Sequence, residues 1–180
     1  MYHRGLSYRD TGKILGVIEP ASYEAVHYWY KQFKGLFVIG RKKRRAIALD
    51  ETKVKLEEKQ MYLLTAVDVD TKEVIAVYLS RTRCSLDTYS FLKKVLQFCD
   101  EKPLVIGDKA TWYPWAIKRL GLNFKHETFG ERNAVEQWYS PFKHRVKRFW
   151  KRFPFHSTNH SIIGWCLSYA VLSKIWRCLF

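Results

Sequence analysis

A chain of 180 residues has the length of one domain with room for a small appendage. Its 47% hydrophobic and 27% charged residues form an ordinary globular mixture, which excludes a disordered tail or a small disulfide-stapled scaffold. Lys and Arg number 32 against 17 Asp and Glu, and a net charge of +15 on a foldable chain points to a polyanionic partner, nucleic acid first.

Ser7 predicts the cap of a helix reaching Leu15 with Gly16 as its stop, and Ser22 caps a second helix running to about Phe33. This is the rhythm of a helix-turn-helix, placed over residues 1–36. Its second helix carries Tyr23, His27 and Lys31, side chains able to reach base edges or phosphates from a major groove. The same spacing also suits two amphipathic helices packed on whatever follows. Residues 37–45 change character and end in Arg41, Lys42, Lys43, Arg44 and Arg45, five like charges that are expected not to be buried together. They read as a basic linker, which beside a DNA-reading segment also raises affinity through phosphates.

Residues 46–180 read as an α/β domain. Ala46 to Leu49 forms a strand ending at Asp50; Met61–Val67 and Val74–Leu79 follow, joined by the turn Asp68 to Lys72. Ser85 caps a helix with apolar positions at Leu86, Tyr89, Leu92, Val95, Leu96 and Cys99. Leu104-Val105-Ile106 is a wholly apolar strand, so it is buried, and after a crossover helix it is parallel to its neighbour. A helix from about Tyr113 to Leu120, a strand near Leu122 to Phe124, a long helix from about Arg132 to Phe153 and a last helix from Ser157 to Trp176 complete the pattern.

The longest apolar run, Ile162 to Leu172, is too short for a bilayer, which needs roughly 20 residues, so no membrane partner is expected. With no apolar stretch behind Met1-Tyr2-His3-Arg4, the expected location is the cytoplasm, on the nucleoid. Cys84, Cys99, Cys166 and Cys178 are scattered and read as small buried hydrophobes. His156 and His160 have a helical i, i+4 spacing without a Glu between them and read as a solvated helix start. Trp138, Trp165 and Trp176 fall on apolar faces, whereas Trp112 and Trp115 lie close enough to Asp108 to touch a substrate.

Asp50 and Asp108 each follow an apolar strand, and strand ends are where α/β sites collect. Two such carboxylates suit a hard divalent cation that keeps positions for water and phosphate. On the long helix, Val135, Trp138, Phe142, Val146 and Phe149 form the apolar stripe, and Glu136 flanks it with Lys143 and Lys147 further along. Singly, each acid is better explained as a turn, cap or ion-pair residue. Their weight lies in the joint order: strand and Asp, a three-strand meander, helix, strand and Asp, helix, strand, then helix with Glu.

In that order the chain resembles the DDE-type transposases of bacterial and archaeal insertion sequences. The matching stretches are Ala48-Leu49-Asp50-Glu51-Thr52, Ile106-Gly107-Asp108-Lys109-Ala110 with Tyr113 shortly after, and Arg132-Asn133-Ala134-Val135-Glu136 followed by Lys143. The resemblance implies a ribonuclease H-like mixed five-stranded sheet flanked by helices and preceded by the helix-turn-helix. It implies Asp50, Asp108 and Glu136 as catalytic triad and ligands of two Mg²⁺ or Mn²⁺ ions, with Lys143 as the basic residue after the Glu. Lys109 and Lys147 join the DNA-contacting residues. The implied partners are double-stranded DNA, as element ends and target, and further copies of the chain on that DNA. The family's usual gap between the second Asp and the Glu is somewhat longer than the 27 residues here, which makes Glu127 and Glu131 rivals of Glu136. Relatives also carry a further helix where four residues precede Gly5, so an inactive DNA-binding remnant is the second reading and a ribonuclease H-like nuclease the third.

Overall fold

Gly12 decides how the chain's first two helices meet. In the computed structural model, which describes residues 1–56, 58–128, 130–147, 152–153 and 157–179, helix α1 spans Tyr8–Leu15 and α2 spans Tyr23–Gln32. A Cβ on Gly12 would lie 3.1 Å from the Tyr23 nitrogen and 3.2 Å from the Ala21 carbonyl, so a bare α-carbon lets α2 start against α1. Ser7 and Ser22 cap the two helices by accepting from the backbone N–H groups of Asp10 and Ala25. Residues 16–22 join them, a longer link than the 3–4 residues of a helix-turn-helix.

Strand β1 covers Ala46–Leu56, well beyond the expected end at Asp50. Its second half alternates, with Val54 buried between exposed Lys53 and Lys55, and antiparallel pairing with β2 (Lys59–Asp68) holds it extended from Ile47 to Leu56. Strand β3 (Val74–Ser80) pairs antiparallel with β2. Helix α3 (Ser85–Leu96) then crosses over, and β4 (Leu104–Gly107) lies parallel to β1 on its other side. Cys84, not Ser85, caps α3, because Asp87 reaches back to the Cys84 backbone N–H. Helix α4 (Tyr113–Leu120) ends at Gly121 in the left-handed region, and β5 is Phe124–His126, parallel to β4. Helix α5 runs Asn133–Lys147, β6 (Arg152–Phe153) pairs with the far end of β1, and α6 runs Asn159–Leu179. The mixed five-stranded sheet has the order β3-β2-β1-β4-β5, with β6 joining β1 off that path.

Alternation along the strands makes two cores. Ala46, Ala48, Val54, Met61 and Leu63 face α5 and α6, where Val135, Trp138, Phe142, Cys166 and Tyr169 are buried. Ile47, Leu49, Leu64 and Val105 face α3 and α4 with Phe91, Leu92, Tyr113 and Ile117. Truncating an aromatic such as Trp138 or Phe142 to alanine would cost about 3–5 kcal/mol. Of the cysteines, Cys99 and Cys166 are buried as expected, while Cys84 and Cys178 are exposed near helix ends.

The basic run divides by burial, with Arg44 buried and Arg41, Lys43 and Arg45 exposed. Arg44 is buried and pairs with Asp68 at 2.5 Å and Glu73 at 3.6 Å. Lys42 reaches Glu73, Arg41 reaches Asp100, Lys43 reaches Glu101, and Arg45 holds both Asp70 and Glu131. These pairings are invisible in the sequence because the carboxylates stand in turns that are close in space but remote in sequence. Among the described residues no helix is long and apolar enough to cross a membrane. Phe149, Lys151 and His156 lie outside the described residues.

Candidate active site

The two aspartates stand where the β1–β4 ladder ends. Asp50 follows Ala48 by two residues and so points, like Ala48, toward α5. Ala48 pairs with Ile106 across the parallel β1–β4 ladder, and Asp108 follows Ile106 by two residues in the loop after β4. Neighbouring strands lie about 4.8 Å apart, and Asp108 is near enough for its charge to act on Asp50. One Asp108 oxygen accepts from the Ala110 backbone N–H at 3.0 Å, which fixes the carboxylate in its loop. Burial pushes the Asp50 carboxyl above the ordinary range, the positive charges of Arg132 and Lys143 oppose that, and Asp108 adds to the rise.

Helix α5 carries Glu136, the candidate third acid. Tyr139 fixes its position: the hydroxyl lies 2.8 Å from the Leu63 carbonyl, 2.8 Å from the Thr65 hydroxyl and 3.1 Å from the Asp50 carbonyl. Glu136 precedes Tyr139 by one helical turn and hence lies over the same strands. Arg132 links it to Asp50, with Nη2 at 3.4 Å from Asp50 Oδ1 and Nη1 at 3.5 Å from Glu136 Oε1. The rivals are engaged elsewhere. Glu131 pairs with Arg45 and Lys125, and Glu127 pairs with Lys125 while its backbone N–H donates to the Gly107 carbonyl. Of the three glutamates, Glu136 is the one that shares a cation with Asp50. Among the described residues no three acidic, histidine or cysteine groups stand close enough to hold a metal as they are placed.

Several residues that the sequence did not single out complete the surroundings. Glu51 points to the other face of β1 and accepts from the Tyr113 hydroxyl at 2.8 Å, which explains the tyrosine after Asp108. Burial raises its pKa, the Tyr113 hydrogen bond opposes, and the charges of Asp108 and Asp50 reinforce the rise. Arg83 lies between the Tyr62 and Trp112 rings, 4.8 and 4.7 Å from their centroids, and 3.5 Å from Glu51. Trp112 therefore touches a cation beside the acids, whereas Trp115 is exposed against Tyr89. A cleft of about 310 Å³ opens between β1 and α5, lined by Glu51, Lys53, Arg83 and Lys143 among others. Lys143 rests its ammonium 5.0 Å from the Tyr139 ring.

The remaining candidates form separate groups. Lys109 is exposed next to Asp108. Tyr23, His27 and Lys31 are on α2, which packs on α1 and α6; His27 leans on the Tyr8 ring, Arg9 lies over Tyr23, and Lys31 is exposed. Lys147 closes α5, and its side chain is outside the described residues.

Comparison with known proteins fits this geometry. Two solved structures share the fold: a chain of the simian T-cell lymphotropic virus intasome in complex with PP2A regulatory subunit B56 gamma, and the catalytic core domain of BIV integrase. The first has a TM-score of 0.55 at 14% identity and covers 76% of this chain and 50% of that one. The second has a TM-score of 0.50 at 14% identity, covering 72% and 82%. The sheet is thus the ribonuclease H-like one of integrase catalytic cores. Residues 44–174 match the model of the DDE domain family of the IS240 type. An uncharacterized protein of Methanocaldococcus jannaschii is 42% identical over 170 residues, 94% of this chain and 79% of that protein. The transposase for insertion sequence element IS257 in transposon Tn4003 of Staphylococcus aureus is 28% identical over 156 residues, 80% of this chain and 69% of that protein. The chain belongs to the DDE family of insertion-sequence transposases, and neither a non-catalytic DNA-binding remnant nor a ribonuclease H-like nuclease is favoured.

Proposed function

We propose that the chain cuts and joins DNA at insertion-element ends, with Asp50, Asp108 and Glu136 as the acids of one divalent-metal site. What supports this is that Asp50 and Asp108 follow neighbouring strands where the β1–β4 ladder ends, with Glu136 linked to Asp50 through one guanidinium. The donor set fits Mg²⁺ or Mn²⁺: hard carboxylate oxygens from a strand, the loop after a second strand and a helix, two of them sharing one guanidinium. Two such ions, when bound, activate an attacking oxygen and stabilise a leaving one.

The chain's own residues hold and orient the DNA. Lys143, Arg83 and Lys53 line the cleft between β1 and α5 and would take backbone phosphates beside the acids. Tyr139 keeps α5, and with it Glu136, at a fixed place over β1. In the cutting step water forms a bond to phosphorus as the bond to the 3′ oxygen breaks. In the joining step the freed 3′-hydroxyl attacks a target phosphorus and displaces its 3′ oxygen. Lys109, Lys147 and the exposed cations of residues 41–45 meet phosphates around the site, and Tyr23, His27 and Lys31 on α2 meet the element end. The DNA is the cell's own, so the protein works on the nucleoid, as more than one copy where two ends are joined.

The test incubates the protein with Mg²⁺ or Mn²⁺ and duplexes carrying the flanking genomic repeats. Nicks at the 3′ ends are expected, lost in Asp50→Asn and Glu136→Gln. Binding without nicking in either metal would overturn the catalytic reading, and loss of nicking on replacing Glu127 but not Glu136 would overturn the choice of the third acid.

A further inference from the structure

We infer that Arg132 is a resident counter-cation of the acidic site, holding Asp50 and Glu136 until divalent ions displace it. The inference rests on the metal-dependent reading above and adds a competitor built into the chain. Arg132 ends the turn Gly130–Arg132 that leads into α5, one helical turn ahead of Glu136. Its two terminal nitrogens go to two different acids, Asp50 at 3.4 Å and Glu136 at 3.5 Å. Its Nε is buried and has no hydrogen-bond partner among the described residues, so the guanidinium is held at these two carboxylates through its terminal nitrogens. The side chain is 13% exposed and that of Asp50 11%, so solvent screens the pair only in part.

Both distances are long. A well-made charge-assisted N–H···O bond spans about 2.7–2.9 Å, and the fork of arginine matches one carboxylate with two parallel bonds. Arg132 instead stretches between two acids, in a geometry that neutralises their charge without clamping either. It also stands between them, and among the described residues no three acidic, histidine or cysteine groups form a ready ligand set. Metal oxygens must approach to about 2 Å, a distance that leaves no room for the guanidinium between the same carboxylates. Metal entry and arginine departure are therefore one exchange: two carboxylates give up a single positive charge and take ions of charge two. Before that exchange, Arg132 offsets the repulsion between Asp50 and Glu136.

The test is Mn²⁺ binding in the absence of DNA, followed by the electron spin resonance signal of free Mn²⁺, for the wild type and the Arg132→Gln, Arg132→Lys and Asp50→Asn variants. Arg132→Gln should bind Mn²⁺ about tenfold tighter than the wild type, melt at a lower temperature without metal, and gain more in melting temperature when Mn²⁺ is added. Arg132→Lys, with a charge but no fork to span both acids, should bind more tightly than the wild type by a smaller factor, and it serves if the glutamine variant does not fold. Wild-type binding that Asp50→Asn weakens, with Arg132 variants equal to or weaker than the wild type, overturns the counter-cation and leaves the metal site standing. Failure of every protein to bind Mn²⁺, or indifference to Asp50→Asn, overturns both.

Discussion

Tyr139 ties the helix that bears Glu136 to the strand that bears Asp50. Its hydroxyl is fully enclosed, and the Leu63 carbonyl and Thr65 hydroxyl beside it would be left short of a partner in Tyr139→Phe. A buried group so orphaned costs about 1–3 kcal/mol. Tyr139→Phe is therefore expected to unfold at lower denaturant concentration and, under conditions where it is still folded, to nick DNA more slowly. Full nicking by the folded variant would limit Tyr139 to stability. Asp108→Asn separates binding from chemistry in the opposite way. It removes a proposed metal ligand and one negative charge facing phosphate, so nicking should vanish while affinity for DNA in metal-free buffer stays equal or rises. A large loss of metal-free binding would instead make Asp108 a structural residue of its loop, acting through its bond to Ala110.

At the scale of elements, local signals were readable and long-range ones were not. The caps at Ser7 and Ser22, the apolar run at Leu104 to Ile106 and the stripe of α5 announce themselves within a few residues of chain. The second half of β1 does not, because Asp50 to Lys53 is polar at every position and the stretch to Leu56 owes its extension to hydrogen bonds with β2. Asp50 and Asp108 stand out by their place after apolar strands, a signal that is local to each strand. Arg83, Glu51 and Arg132 could not be assigned from spacing, since each is defined by a partner on another element. The run from Arg41 to Arg45 shows the same limit: its acids come from the β2–β3 turn, the segment after α3 and the turn before α5. Its members divide by burial. Arg44→Ala should cost about 3–5 kcal/mol by stranding Asp68, whose carboxyl is pushed up by burial but held below the ordinary range by the N–H groups of Thr71 and Asp70 and by Arg44 itself. Replacing exposed Arg41, Lys43 and Arg45 with Gln should leave the fold intact and lower the log-log salt slope of duplex binding by about 0.9 for each phosphate no longer neutralised. An unchanged slope would mean that these cations serve only their carboxylates.

Across the whole molecule, the N-terminal helices are fastened to the catalytic core through the first residues of the chain. Tyr2 stacks on Tyr8 at 3.8 Å between ring centroids, receives a hydrogen bond from the Trp165 indole on its hydroxyl, and lies 4.3 Å below the Arg145 guanidinium. Next to it, His3 packs on Tyr169 of α6 and lies 3.4 Å from the Ser173 hydroxyl. Burial, with Arg4, Arg145 and the terminal amine nearby, pushes the His3 imidazole down to about 4 from the ordinary 6.5. The native state therefore refuses a proton that the unfolded chain accepts. The contribution of His3 to stability is complete above pH 6.5 and is lost as the pH falls from about 6.5 to about 4. Glu73, also held low by its lysine partners against the effect of burial, loses its contribution only below the ordinary carboxylate range, so it leaves most of this window to histidine. His27 is pushed down as well, by burial and Lys31, and shares the window. In urea titrations at pH 7.5, 5.5 and 4.5, His3→Gln should lose less stability on acidification than the wild type, because an amide gains no proton in either state. Parallel curves for the two proteins would mean that His3 is solvated in both states and that the docking of residues 1–36 onto α6 does not depend on its neutral form.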